Sequence, residues 1–201
     1  MSMIVTRALA SSGLLLLALV IKGCATSSAP SYYTLTPTAA STTSEDSAIA
    51  VGIGPFELPG YLDRPQIVTP SAGVTLTVEE FHRWAEPLEN IFVRTLAANI
   101  SRHLGSDAVY EYPYHRNIKT SNHVGGNVQR FDVNTDGLAI LEVQWAIFDR
   151  NRKVVHAGKR TRYEAVATDT RSFAARADAL SATLERFSAD IAAALNRLVR
   201  P

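Results

Sequence analysis

Cys24 is the only cysteine in the chain, and its thiol is the one strong nucleophile whose surroundings suggest a use. Arg7 precedes a charge-free run from Ala8 to Ile21 that includes Leu14, Leu15, Leu16, Leu17, Leu19, Val20 and Ile21, and the small Gly23 stands just before Cys24. A positive residue, an apolar run and a small residue at a cut site are the three parts of a secretory signal. The run is shorter than the roughly 20 residues a spanning helix needs, so cleavage after Gly23 is expected rather than permanent insertion. Cys24 would then head the mature chain and be free for acylation. An ordinary secreted protein with one stray thiol is the alternative, but an odd cysteine in an oxidising compartment asks for such a use. Ile21, Lys22, Gly23 and Cys24 fill the four places of a lipobox, with Lys22 where a small uncharged residue is usual and Ile21 where Leu is commoner.

The other reactive residue types do not fall into catalytic spacings. Histidines stand at 82, 103, 115, 123 and 156, and none has another His, Cys, Asp or Glu at zinc-site spacing. His115 and His123 share a polar stretch that could hold a weak metal site or simply carry surface histidines. No serine lies in a nucleophile-elbow sequence. Gly52, Ile53, Gly54 and Pro55 lack the third glycine of a phosphate loop, and proline follows where a helix should open. Glu79 and Glu80 are adjacent, so on a strand they face opposite ways and do not make an acid and base pair. Accordingly no catalytic residue, metal or cofactor is expected.

Charge gives a narrower lead. Removing residues 1–23 takes away Arg7 and Lys22 from 20 Lys and Arg against 19 Asp and Glu, which leaves a formal charge of −1 and no argument for nucleic acid. Arg150, Arg152, Lys153, Lys159, Arg160 and Arg162 are nevertheless clustered. On a lipid-anchored protein they could meet anionic headgroups or an acidic partner, or they could keep an edge strand soluble.

These residues need elements to position them. Seven residues separate Cys24 from Tyr32, a span of at most roughly 25 Å when fully extended. Residues 24–48 are read as lipidated tether and low-complexity segment, with a possible short strand near 32–35, and residues 49–201 as a single α+β domain. Ile49, Val51 and Ile53 alternate into a strand ending at Pro55, and Gln66 to Thr69 with Val74 to Val78 suggest a hairpin. Pro87 suits a first helical position, and Leu88, Ile91, Phe92, Leu96, Ile100 and Leu104 recur at helical spacing up to Gly105. A short strand is expected over 108–112 and a loop over 115–127. Val128 to Val133 and Leu138 to Phe148 flank Asp136 and Gly137, a tight-turn pair, and Val154 to Ala167 returns as a third strand. Phe173, Ala177, Leu180, Leu184, Phe187, Ile191 and Leu195 mark a long amphipathic helix. Its stripe would pack in the chain's own core, with an interaction helix as the alternative. The fold class expected is α+β, an antiparallel sheet packed by two main helices in two layers.

Tyr32, Tyr33, Thr34 and Leu35, then Gly54, Pro55, Leu58, Pro59, Leu62, Asp63, Arg64, Pro65, Gln66, Ile67 and Val68, then Arg83, Trp84, Ala85, Glu86, Pro87 and Leu88 opening a helix, form a further set. Together they resemble the PqiC (YmbA) lipoproteins, also described as auxiliary lipoprotein components of ABC-type transport systems. The resemblance covers most of the chain from Tyr32 to the C-terminal helix. It implies a non-enzymatic outer-membrane lipoprotein facing the periplasm. Its partners would be the membrane, through the lipidated N-terminus, and an MCE-domain protein with its ABC transporter, and a homo-oligomeric ring is implied as well. Ala25, in place of Asp, agrees with outer-membrane sorting.

Leu62, Asp63, Arg64, Arg83 and Trp84 are the candidates for either a structural latch or a partner contact. Two further functions compete with docking: a lipid-anchored module that holds a phospholipid or other hydrophobic ligand between sheet and helices, and an envelope hydrolase built around His115 and His123.

Overall fold

The computed structural model describes residues 28–41, 50–71, 73–115, 117–158 and 160–199. Cys24, Ile49 and Lys159 therefore lie outside the described residues.

Two sheets and two helices make up the described chain. The smaller sheet has the order β1 (Ser31–Tyr33), β4 (Leu76–Trp84), β3 (Gln66–Pro70). β3 and β4 are the expected hairpin, whose turn contains Gly73 at φ 67°. β1 lies parallel to β4, with Tyr32 opposite Arg83. The larger sheet runs β5 (Val109–Glu111), β2 (Val51–Glu57), β6 (Asn122–Val133), β7 (Leu138–Asp149), and both β8 (Val154–Ala157) and β9 (Thr161–Val166) pair with β7. The single strand expected over Val154 to Ala167 is thus split, β9 pairing the first half of β7 and β8 its second half.

The α+β class and the two packed helices are as expected, but the sheet is mixed. β2 pairs in parallel with both β5 and β6. The chain leaves β2, builds the small hairpin and helix α1 (Leu88–Leu104), and returns in the same direction, as a parallel partner requires.

The region expected as a loop over 115–127 is strand from Asn122 onward. Gly125 and Gly126 look like turn residues, yet a Cβ on Gly125 would stand 3.2 Å from the Pro55 carbonyl oxygen. The position is small because β2 passes close by. Asp136 and Gly137 do make the tight turn between β6 and β7, with Gly137 at φ 80° and the Asn134 side chain accepting from the amides of Asp136 and Leu138 at 3.0 and 2.8 Å.

α1 and α2 (Phe173–Val199) pack on each other and on one face of the larger sheet, α1 over β2 and β5, α2 over β7 and β9. Pro87 takes the cap position one residue before α1, its carbonyl accepting from Asn90 and Ile91. Gly105 closes the helix in the left-handed conformation. Between the layers Ile91, Phe92, Leu96 and Ile100 meet Leu184, Phe187 and Ile191, with Ile53, Phe56, Leu141, Val143 and Ile147 beneath, all fully buried. Phe56 holds Phe92 at 5.6 Å and Phe187 at 5.8 Å between ring centres.

Candidate functional site

Leu62 ends a 3₁₀ turn (Gly60–Leu62) and is buried, and Trp84 ends β4 and is buried as well. Both line a small, mostly apolar cavity of about 20 Å³, together with Phe131 and Phe173. The Trp84 amide donates to the Pro65 carbonyl at 2.7 Å, and Gln66 pairs with Arg83 across the ladder, so the turn and the end of β4 are fastened together. Asp63 and Arg64, on the same turn, are exposed. Among the described residues Asp63 forms no ion pair. Arg83 is part-exposed, its Nε donating to the Glu80 carbonyl at 3.0 Å. One corner of the molecule thus brings the five residues together and divides them into a buried floor, Leu62 and Trp84, and a charged rim, Asp63, Arg64 and Arg83. Arg83 and Trp84 close a strand, and the helix that the run Arg83 to Leu88 leads into starts at Leu88, one residue after the expected Pro87.

A much larger concavity lies on the face of the larger sheet turned away from the helices. Along β6 and β7 the buried Val124, Val128, Val143 and Ile147 alternate with His123, Gly125 and Asn127 opposite Phe148, Ala146 and Gln144. The second set floors an open groove of about 840 Å³. Tyr112 and Tyr114 wall one side, at 6.4 Å from each other and at 6.5 and 6.4 Å from the His123 ring, and Phe148 lies 6.4 Å from His123. Tyr114 can lie there because it covers Gly52, where an added Cβ would stand 2.6 Å from Tyr114 Cε1. The layer between sheet and helices, where the alternative reading would place a ligand, is filled by the buried side chains described above.

The groove has a basic end and an acidic end. Arg150 and Arg152 line it next to Phe148 and Asp149, while Glu57, bonded by Asn127 Nδ2 at 3.3 Å, lines it near Gln144. The Asp149 carboxylate is engaged by the amides of Asn151 and Lys153 at 2.8 and 2.9 Å. Burial, and then the nearby Arg152 guanidinium, push the His123 imidazole below its ordinary pKa and favour the neutral ring. His115 is exposed and accepts from the Asn117 amide. Among the described residues no three His, Cys, Asp or Glu side chains are grouped to hold a metal. Of the basic cluster, Arg162 is spent on Glu142 at 3.1 Å and on Glu164, whereas Arg150 and Arg152 face the groove. Sequence reasoning missed the groove because its floor is assembled from alternate residues of two strands, with the small Gly125 and Ala146 at its middle. The alternation of Tyr110, Tyr112 and Tyr114 was the one local signal.

The family model for the ABC-type transport auxiliary lipoprotein component matches residues 33–192. The fold is similar to the crystal structure of an uncharacterized protein, at 20% identity and a TM-score of 0.64 over 84% of this chain and 99% of the other. It is also similar to protein XCC0632 from Xanthomonas campestris, at 17% identity and a TM-score of 0.62 over 81% and 92%. A comparison with curated proteins finds no match.

Proposed function

Because the chain belongs to the family of ABC-type transport auxiliary lipoprotein components, we propose that it serves an MCE-type system that moves lipids between membranes. In this reading residues 1–23 are a signal peptide, and lipid on Cys24 holds the protein on the outer membrane, facing the periplasm. The folded body, 49–201 with the segment before it docked on its surface, binds an envelope-spanning MCE-domain protein and through it the ABC transporter. The protein acts by binding, without turnover, and self-assembles into a ring.

The observation that carries the reading is where the folded body begins. Only six residues, 25–30, separate Cys24 from Ser31, where β1 starts, and β1 is paired to β4. After it, Leu35 and Ala39 are buried, the Ala39 amide donates to Asn99 Oδ1 at 3.0 Å, and Arg102 donates to the carbonyls of Pro37 and Ala39. A body fastened so close to its anchor stays within roughly 25 Å of the lipid surface, which suits a part that meets a partner at the membrane and not one that ranges freely.

In-cell crosslinking of the tagged protein, followed by mass spectrometry of what copurifies from envelope membranes, tests the docking. Recovery of an MCE-domain protein or its transporter is expected, and recovery of neither would sink the reading. Cys24→Ala should move the protein out of the membrane fraction; retention of that variant on the membrane would refute the anchor.

A further inference from the structure

The groove on the outer face of the larger sheet has the small Gly125 and Ala146 at the middle of its floor, aromatic rings along its wall and two arginines at the end opposite Glu57, and these features together suit one class of occupant. Gly125 and Ala146 expose little but backbone and methyl surface, and Tyr112, Tyr114 and Phe148 rise around them. From Gln144 to Asp149 the floor runs about 17 Å at the usual rise per strand residue. Its volume of about 840 Å³ falls in the usual range for ligand sites, roughly 300–1,000 Å³. Such a trough takes an apolar chain. At the Phe148 end the two guanidiniums of Arg150 and Arg152 outnumber the single Asp149 carboxylate, whose Oδ1 is turned to the Asn151 and Lys153 amides, so the local charge is positive and calls for an anionic head.

We propose that this groove binds one acyl chain of an anionic lipid, with the chain over Gly125 and Ala146 and the charged head between Arg150 and Arg152. The inference goes beyond the docking reading and does not require it. It also moves ligand binding from the filled layer between sheet and helices to the opposite face of the same sheet.

The test uses the full-length protein in nanodiscs of phosphatidylcholine doped with phosphatidylglycerol carrying a photoreactive diazirine in its acyl chain, with labelled peptides mapped by mass spectrometry. Labelling is expected at Tyr112 and Phe148. Ala146→Phe, which fills the trough, should lower it at least about tenfold, the effect of losing some 1.4 kcal/mol of binding. Arg150→Gln with Arg152→Gln should lower labelling by the anionic probe about tenfold, the worth of one charge-assisted contact, and lower labelling by a phosphatidylcholine probe with the same chain much less, because its choline offsets the phosphate charge. Excess inorganic phosphate should not compete, because the chain supplies most of the binding; full competition would overturn the lipid assignment in favour of a free anion. Equal labelling of Ala146→Phe, equal labelling by both lipids, or groove crosslinks to a second copy or to a peptide in place of lipid would each overturn the proposal. Both arginines are at exposed positions, so that double variant decides the matter even if Ala146→Phe does not fold.

Discussion

Leu62 and Trp84 differ from Asp63 and Arg64 in what surrounds them, and that difference turns one corner of the molecule into two experiments. Trp84 is packed at a cavity wall, so Trp84→Ala should cost about 3–5 kcal/mol of stability, read as a fall in the urea midpoint. Asp63→Ala and Arg64→Ala remove exposed side chains and should leave stability within about 0.5 kcal/mol. If these two variants also keep full partner recovery in crosslinking, the rim is not a contact. His123 gives a pH prediction. Its pKa is held down in the fold by burial and by Arg152, with the rings of Tyr112, Tyr114 and Phe148 around it. The unfolded chain therefore binds the proton first as pH falls. Stability from the neutral ring is complete above the unfolded pKa, about 6.5, and is lost as pH drops through the folded value. Urea midpoints measured from pH 7.5 to pH 5 should decline for the native protein and flatten for His123→Asn; parallel slopes would show that other groups govern the decline. At this scale the sequence showed which residues belonged together at the corner but not which of them were buried, because a Leu and a Trp beside charges read alike whether they cap a cavity or face a partner.

Elements with a strong period were legible, and those without one were not. The long helix shows an unbroken stripe from Phe173 to Leu195, and β7 alternates from Leu141 to Ile147, so both were read to within a residue or two. The first half of β6 was lost because Gly125 and Gly126 interrupt its alternation for reasons that lie in other strands, the Pro55 carbonyl of β2 for Gly125 and the Gln144–Trp145 backbone of β7 for Gly126. The parallel pairings escaped for a related reason, since direction depends on the path between strands and leaves no local mark. Gly137 tests the one turn that was foreseen. It sits at φ 80°, and an added Cβ would stand 2.5 Å from Thr170 Cγ2, so Gly137→Ala should cost at least about 1–2 kcal/mol in the urea midpoint. The smaller sheet hangs on α2 through a stack in which the His82 ring lies 3.8 Å from Phe173 and accepts or donates at 2.8 Å to the Tyr33 hydroxyl. Phe173→Ala should therefore raise amide exchange in β1 and the end of β4 before it raises exchange in β6 and β7. Uniform loss of protection would show instead that the two sheets open as one unit.

The whole molecule has one thick region and one thin one. Helices and larger sheet enclose the buried aromatic layer of Phe56, Phe92 and Phe187, whereas the ladder of β1 on β4 has three residue pairs, Ser31 to His82, Tyr32 to Arg83 and Tyr33 to Trp84. The Ala85 amide adds a bond to the Tyr33 carbonyl at 2.8 Å. It is through this thin end that the chain runs toward Cys24. If lipid on Cys24 holds the chain as proposed, a pull along the tether is met first by that short ladder and next by Leu35 and Ala39, buried just after it. β1 is in that case the first element to feel the load, and Leu35, two residues beyond its end, passes whatever the ladder does not hold to the core.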